Sequence, residues 1–286
     1  MAGTILKIKE MYRSFNSTKK KIADYILENS EDILHITIKD LAENCGVSQA
    51  AVVRFCKQLQ FNGFKDFKID IASDVLNSNR DNEEEGKYTD IKPGDDLKSI
   101  IENVCINNKK SIDDTLSVLD YNEVKRAVDA VHKAKRIDFY GVGASWIVAL
   151  DGMQKFMRIG KYSCAYSDAH LQVTAASTLQ KGDVVFALSY SGETKDIIDA
   201  VKVAKESGAL IVAVTKYGIN MLSEISDINL FLSSPEVTMR SGAMASRIAQ
   251  LNVIDIIFSG VASIEYKSIK KYLDRSRKAT KLKRYK

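Results

Sequence analysis

The sequence predicts an α/β protein in two parts: an N-terminal all-α helix-turn-helix domain, then a three-layer α/β/α domain with a five-stranded parallel sheet. Three observations lead there. Residues 1–76 carry helical periodicity almost throughout. Residues 97–266 alternate continuous apolar runs with helical patterns, as strands covered on both faces and their crossover helices do. Between them, NSNRDNEEEGKYTDIKPGDD (77–96) is polar, holds an acidic run and one of only two prolines, and reads as a linker that cannot bury enough surface to fold. Residues 267–286 are left as a basic C-terminal tail. A chain of 286 residues, 45% hydrophobic and 28% charged, can bury such cores without disulfides.

The N-terminal domain turns on ITIKDLAENCGVSQAAVVRFCKQLQFNGFKDFK (36–68). Thr37, with Asp40 three residues on, is the start of a capped helix. Gly46 offers the left-handed turn that ends it, and Val47 packs. Ser48 caps a second helix, with Val52, Val53, Cys56 and Leu59 at helical spacing and facing inward. Its exposed face carries Gln49, Arg54, Lys57 and Gln58, with no acidic residue from Ser48 to Leu59. Helix, glycine turn, helix is the arrangement that presents a second helix to a DNA major groove. Ser48 and Gln49 would meet base edges, and Arg54 and Lys57 phosphates or a guanine. The same pattern fits a plain helical hairpin used for packing or dimerisation. Residues 1–76 are nearly neutral, with eleven basic and ten acidic side chains, so the acid-free helix is a local feature.

In the C-terminal domain a pair of helices, near 97–117 and 121–134, precedes the first strand. Strands follow at 136–141, 161–166, 183–190, 209–215 and 228–233, with helices at 145–158, 168–178, 194–206 and 220–226 between them. A long helix, 242–264, closes the domain.

Two strand ends carry candidate chemistry. FYGVGASW (139–146) has Gly141 and Gly143 at two positions of a dinucleotide fingerprint, but Trp146 stands where the third glycine belongs and is too large for close helix–strand packing. A nicotinamide site is therefore not expected. Ser145 opens the following helix beside unpaired N–H groups. At SYSGET, Ser189, Ser191 and Thr194 converge where strand three meets a helix, and Gly192 lets backbone approach a ligand. Free N–H donors and a positive dipole end make such a point an anion site without a lysine-bearing loop. In a doubly wound order Ser145 would face the same pocket. The alternative is a helix start capped by Ser191 or Thr194, with nothing bound.

The residues also carry a family resemblance. Leu41-Ala42, Val47-Ser48, Ala50, Val52-Val53-Arg54-Phe55 and Gly63-Phe64-Lys65-Asp66-Phe67-Lys68 resemble the N-terminal domain of RpiR-family bacterial transcriptional regulators. Ala51 stands where threonine is frequent, and Gln60 where glycine is, which blurs the end of the recognition helix. The residues expected at the DNA are Ser48, Gln49, Ala50, Arg54 and Lys57. Likewise GVGAS (141–145), DAHLQ (168–172), SYSGETKDII (189–198), Gly208 through Thr215 and GAMASRIAQLNVID (242–255) resemble a sugar isomerase (SIS) domain, a phosphosugar-binding fold. It implies a sugar phosphate held by Ser145, Ser189, Ser191 and Thr194; Gly143, Gly192 and Glu236 are the further residues expected at that site.

The function expected is a DNA-binding regulator of sugar-metabolism genes that responds to a sugar phosphate; the alternative is an aldose–ketose isomerase. Isomerisation needs a base, and Glu236 or His170 are the candidates. Glu236 can equally bond a sugar hydroxyl or sit in solvent, and His170 can be a helix-start or interface residue. Arg240 and Arg247 can steer an anion or pair with acids between subunits. The expected partners are duplex DNA with two half-sites and further copies of the chain, as a homodimer or homotetramer. No cofactor is expected. The four cysteines, Cys45, Cys56, Cys105 and Cys164, lack C-x-x-C spacing, and there are three histidines, so no metal site is signalled. Lysines interrupt the N-terminal apolar pattern, and Arg247, Asn252 and Asp255 break the longest apolar helix, so neither a signal peptide nor a membrane span is expected, and the location expected is the cytoplasm. The net charge of +5 divides into +9 in residues 267–286 and −4 elsewhere. That tail reads as a solvated, frayed end, or as a nucleic-acid or assembly contact.

Overall fold

The computed structural model describes residues 4–30, 32–34, 36–59, 61–78, 94, 96–234, 243–264 and 266–281. Glu236, Arg240 and most of the 77–96 segment lie outside the described residues. The chain divides into two compact units, residues 1–105 with 116–118 and 217–219, and the remainder. The division falls inside a helix, α6 (Leu97–Val118), rather than at its start.

The first unit holds α1 (Thr4–Met11), α2 (Ser17–Glu28), α3 (Ile38–Asn44), α4 (Gln49–Gln58) and α5 (Phe64–Ser78). Helix α5 therefore runs two residues into the expected linker. The core is aromatic: the Phe55 ring lies 5.2 Å from Phe15 and 6.2 Å from Phe67. On α4 the buried residues are Ala51, Val52, Phe55 and Cys56, with Leu59 just beyond, while Val53 is half-buried. The helix is thus turned slightly from the expected orientation, because burying the large Phe55 ring removes more apolar surface than burying Val53.

In the second unit five strands, β1 (Ile137–Gly141), β2 (Ser163–Tyr166), β3 (Val184–Leu188), β4 (Leu210–Lys216) and β5 (Ile228–Leu232), form one parallel sheet in the order β2-β1-β3-β4-β5. Every residue of β1 and β3 is buried, as their apolar runs require. Alternation along the strands feeds two cores. Phe139 and Phe186 stack at 5.0 Å on the face covered by α7 (Tyr121–Lys133), α8 (Ala144–Arg158) and α12 (Met244–Ile264). Tyr140, Val185 and Ala187 face α9 (Ala169–Ala176), α10 (Lys195–Glu206) and the short α11 (Met221–Ile225). Gly152 sets the α8–β1 separation, since a Cβ there would lie 2.6 Å from the Phe139 ring. Helix α12 is long and apolar enough to cross a membrane, yet Ala249, Val253, Ile257 and Val261 are packed into the core under the sheet.

As far as residue 281 the basic C-terminal segment is not a frayed end. Tyr266–Lys281 forms a helix, α13. It docks through buried Ile269 and partly buried Leu273, and a Cβ on Gly160 would come within 2.9 Å of the Tyr272 ring.

One charge is buried in the sheet. Asp138 is wholly inaccessible and takes two hydrogen bonds from Arg136, each 2.8 Å, and one of 3.1 Å from the Tyr140 hydroxyl. Burial pushes the Asp138 carboxyl above its ordinary range, and the guanidinium pulls the other way. Replacing Arg136 by methionine strands this carboxylate. The expected loss is about 3–5 kcal/mol of stability, read from urea unfolding. An unchanged unfolding midpoint would contradict the pairing.

Candidate functional sites

The α3–α4 pair is built by local chemistry. Thr37 and Asp40 form a reciprocal capping box, with the Asp40 carboxylate accepting the Thr37 N–H at 2.8 Å. At the other end Gly46 adopts φ +63°; its N–H donates to Glu43 O (3.1 Å), and the Val47 N–H donates to Ala42 O (2.9 Å), a Schellman closure. Ser48 Oγ then accepts the Ala51 N–H at 3.2 Å and starts α4. Gln49, Ala50, Arg54 and Lys57 are exposed together with Ser48, so the expected recognition face is open. Gln58 is the exception: it is half-buried, and its Oε1 is enclosed with no hydrogen-bond partner among the described residues. Leu59 ends the helix, and its burial draws the preceding residue inward. The two thiols here belong to the core. Burial pushes Cys45 up to about 11 and Cys56 up to about 12, so neither is a thiolate near neutral pH.

In the α/β unit the strand order reverses between β1 and β3, the place where open α/β sheets bind ligands. Gly141 pairs with Leu188, so the loops after the two strands emerge side by side. The β1 loop turns tightly: a Cβ on Gly141 would sit 2.6 Å from the Ser145 carbonyl oxygen. Gly143, at φ +56°, precedes α8 with no side-chain cap. Ser145 is half-buried, and its Oγ lies 3.2 Å from the Gln250 side-chain amide.

The β3 loop is closed on itself. Ser189 Oγ and Thr194 Oγ1 are 2.8 Å apart, Gly192 N–H donates to Ser189 O at 3.0 Å, and Glu193 N–H donates to Ser191 Oγ at 3.2 Å. Thr194 occupies the cap position of α10, yet its side chain makes no capping bond. The contrast with other helices is informative. Asn16, Thr37, Ser48, Asp96, Asp120, Asp168 and Asn220 each cap the helix that follows them. Helices α8 and α10, the pair flanking the switch point, start without a side-chain cap; at α8 the Ser145 and Trp146 N–H groups donate instead to Val142 O (3.2 Å) and Gly143 O (3.1 Å). No lysine takes that place: Lys195 is exposed and paired with Asp199.

Three supporting residues were not singled out from the sequence. Asn220 is buried beneath Gly192, which has φ +70° and whose Cβ, if present, would lie 2.0 Å from Asn220 Oδ1. Asn220 also donates to Thr215 Oγ1 (3.2 Å) and caps α11, whose Leu222 N–H donates to Gly192 O (3.0 Å). Gln172 is fully buried and donates to Gly141 O (3.1 Å) and Tyr166 O (2.7 Å), tying the ends of β1 and β2. Gln250 holds Ser145. The available signal was an amide inside an apolar helical pattern, or an asparagine before a short helix. His170 is exposed on the first turn of α9, and Arg247 is half-buried on the first turn of α12.

Gly192→Ala is expected to cost roughly 1–3 kcal/mol, from strain at positive φ and the clash with Asn220. Pairing it with Asn220→Ala should recover part of that loss in a double-mutant cycle by chemical denaturation. Full additivity would show that the two residues do not constrain each other.

An exposed helix-turn-helix face and a doubly wound sheet with an uncapped switch point define a two-domain protein that couples a DNA reader to an α/β ligand-binding domain. Residues 2–78 match the helix-turn-helix domain of the rpiR family, and residues 130–260 match the SIS domain. The chain is 44% identical to an uncharacterized HTH-type transcriptional regulator of Caldanaerobacter subterraneus, over 96% of this chain and 95% of that one. It is 36% identical to the regulator YbbH of Bacillus subtilis, over 97% and 96%. The structure of Vibrio vulnificus NanR complexed with ManNAc-6P matches 99% of this chain and 100% of that one, with 29% identity and a TM-score of 0.63. The chain belongs to the rpiR family of helix-turn-helix transcriptional regulators.

Proposed function

We propose that this regulator controls sugar-metabolism genes and that a sugar phosphate, bound between the β1 and β3 loops, modulates its grip on DNA. The observation that carries the reading is the pair of uncapped helix starts with hydroxyls gathered around them. The phosphate would take N–H groups at the start of α10 and hydroxyls from Ser145, Ser189, Ser191 and Thr194. Gly143 and Gly192 would let it approach the backbone. Glu236 would contact the sugar. The sugar phosphate in the NanR complex supports the ligand class.

Binding rather than isomerisation fits the loop better. Isomerisation needs a base in reach of adjacent carbons. Glu193, the carboxylate of the loop, is exposed and accepts the Met221 N–H at 3.1 Å, and His170 is exposed on α9, while Glu236, the other candidate base, lies outside the described residues. The relatives named as regulators point the same way. A homodimer or homotetramer in the cytoplasm would read two half-sites, with Ser48, Gln49, Ala50, Arg54 and Lys57 at the DNA. Any homodimer or homotetramer must prefer one head arrangement when liganded. A tenfold effect on DNA affinity needs roughly 1.4 kcal/mol of coupling.

The joint replacement of Ser189 and Ser191 by alanine should abolish the response to a panel of sugar 6-phosphates and leave DNA binding intact. Fluorescence anisotropy with DNA from upstream of the gene would read both, and a full response in the variant would refute the pocket. Arg54→Ala should weaken operator binding at least tenfold and leave sugar-phosphate binding, measured by calorimetry, unchanged. Loss of both together would mean that Arg54 is structural.

A further inference from the structure

We propose that α13 is a second DNA-contacting surface, one that grips the phosphate backbone without reading sequence. The inference rests on the reading of this chain as a DNA binder and adds a site to it. Seven cations lie on α13, Lys267, Lys270, Lys271, Arg275, Arg277, Lys278 and Lys281, and all seven are exposed. At 100° per residue they fall within an arc of about 160°, opposite buried Ile269 and partly buried Leu273. Asp274 is the one acid on the helix, and no acidic group among the described residues pairs with any of the seven. The array is about 21 Å long, the reach of several successive backbone phosphates.

The distribution of charge favours DNA as the occupant. Residues 267–286 carry +9 while the rest of the chain carries −4. The reader itself is nearly neutral, with eleven basic and ten acidic residues in 1–76. Affinity for a polyanion comes chiefly from neutralised phosphates, and in this chain the excess positive charge is concentrated on the C-terminal helix. A membrane surface fits less well. A membrane-bound amphipathic helix buries its apolar face in lipid, and the apolar stripe of α13 is already packed on α8 and α12. The docking through Ile269 and Leu273 also fixes the helix as a rigid array of cations, which lowers the entropy lost on meeting a polyanion.

The test uses the full chain with Lys267, Lys270, Lys271, Lys278 and Lys281 all replaced by glutamine. This leaves Ile269, Leu273 and Tyr272 in place. Binding to the upstream DNA and to an unrelated duplex is measured from 50 to 200 mM salt, beside the wild type and Arg54→Ala. Each phosphate that is no longer neutralised lowers the salt slope by about 0.9. The expected result is a slope reduced by two or more for both duplexes, with the ratio of operator to unrelated binding kept and sugar-phosphate binding unchanged. Arg54→Ala should do the reverse, losing the ratio and keeping most of the slope. Equal slopes for the glutamine variant and the wild type would overturn the proposal. So would lysine-dependent pelleting with phosphatidylglycerol vesicles without any change in DNA binding. If the wild type bound neither duplex, the DNA reading itself would fall, and the inference with it.

Discussion

A helix leaves its first four N–H groups without partners inside the helix, and something else has to receive them. At seven of the described helix starts a serine, threonine, asparagine or aspartate does so. At the sheet's switch point that solution is withheld twice. Gly143 has no side chain to offer α8, and Thr194 directs its hydroxyl across the loop to Ser189 instead of back to α10. Two positive helix ends therefore meet at adjacent strand termini, which favours an anion between them. The rest of the α/β unit can be understood as the scaffold that keeps those two ends close and open. The parallel register brings Gly141 beside Leu188. Glycine at 141 and 192 lets the backbone turn where a Cβ would collide with Ser145 or Asn220.

Around the loops stands a ring of amides. Gln172 ties the ends of β1 and β2, Gln250 meets Ser145, and Asn220 sits under Gly192. Each is at least nine-tenths buried, so each needs its hydrogen bonds and each resists displacement. The hydroxyls of the loop are also satisfied within the protein, Ser189 with Thr194 and Ser145 with Gln250. Bonds of this kind hold the loop in one shape, which would leave little ordering entropy to oppose a ligand at the proposed site.

Much of this was legible in the sequence, for reasons that differ by element. Parallel strands buried on both faces leave continuous apolar runs, so β1, β3 and β4 could be found within a residue or two. The caps of α3 and α4 are local, and Thr37, Gly46 and Ser48 announced them. Rotation of α4 was less visible: Val53 and Phe55 are both apolar, and only the aromatic cluster with Phe15 and Phe67 decides which is buried and carries Gln58 inward. Helix α13 was hidden by its charge, since Ile269 and Leu273 are only two apolar positions among seven cations. The supporting amides were hidden by distance. Asn220 meets Gly192 across 28 residues and Gln250 meets Ser145 across 105, separations that no local pattern encodes.

The energetics of the two sites suit a switch. A nearly neutral reader gains little from the phosphate backbone, so its hold on DNA rests more on base contacts and on geometry than on charge. Geometry is what a ligand in the other domain can alter. A coupling of roughly 1.4 kcal/mol, about the net worth of one hydrogen bond, changes DNA affinity tenfold. Cations on α13 add affinity that is indifferent to sequence, and to the ligand as far as α13 stays docked through Ile269 and Leu273. Such a term keeps the protein near DNA while the recognition helix is released or engaged. Separating holding from reading lets a small coupling energy act on the reading alone, without first having to overcome the whole electrostatic attraction to DNA.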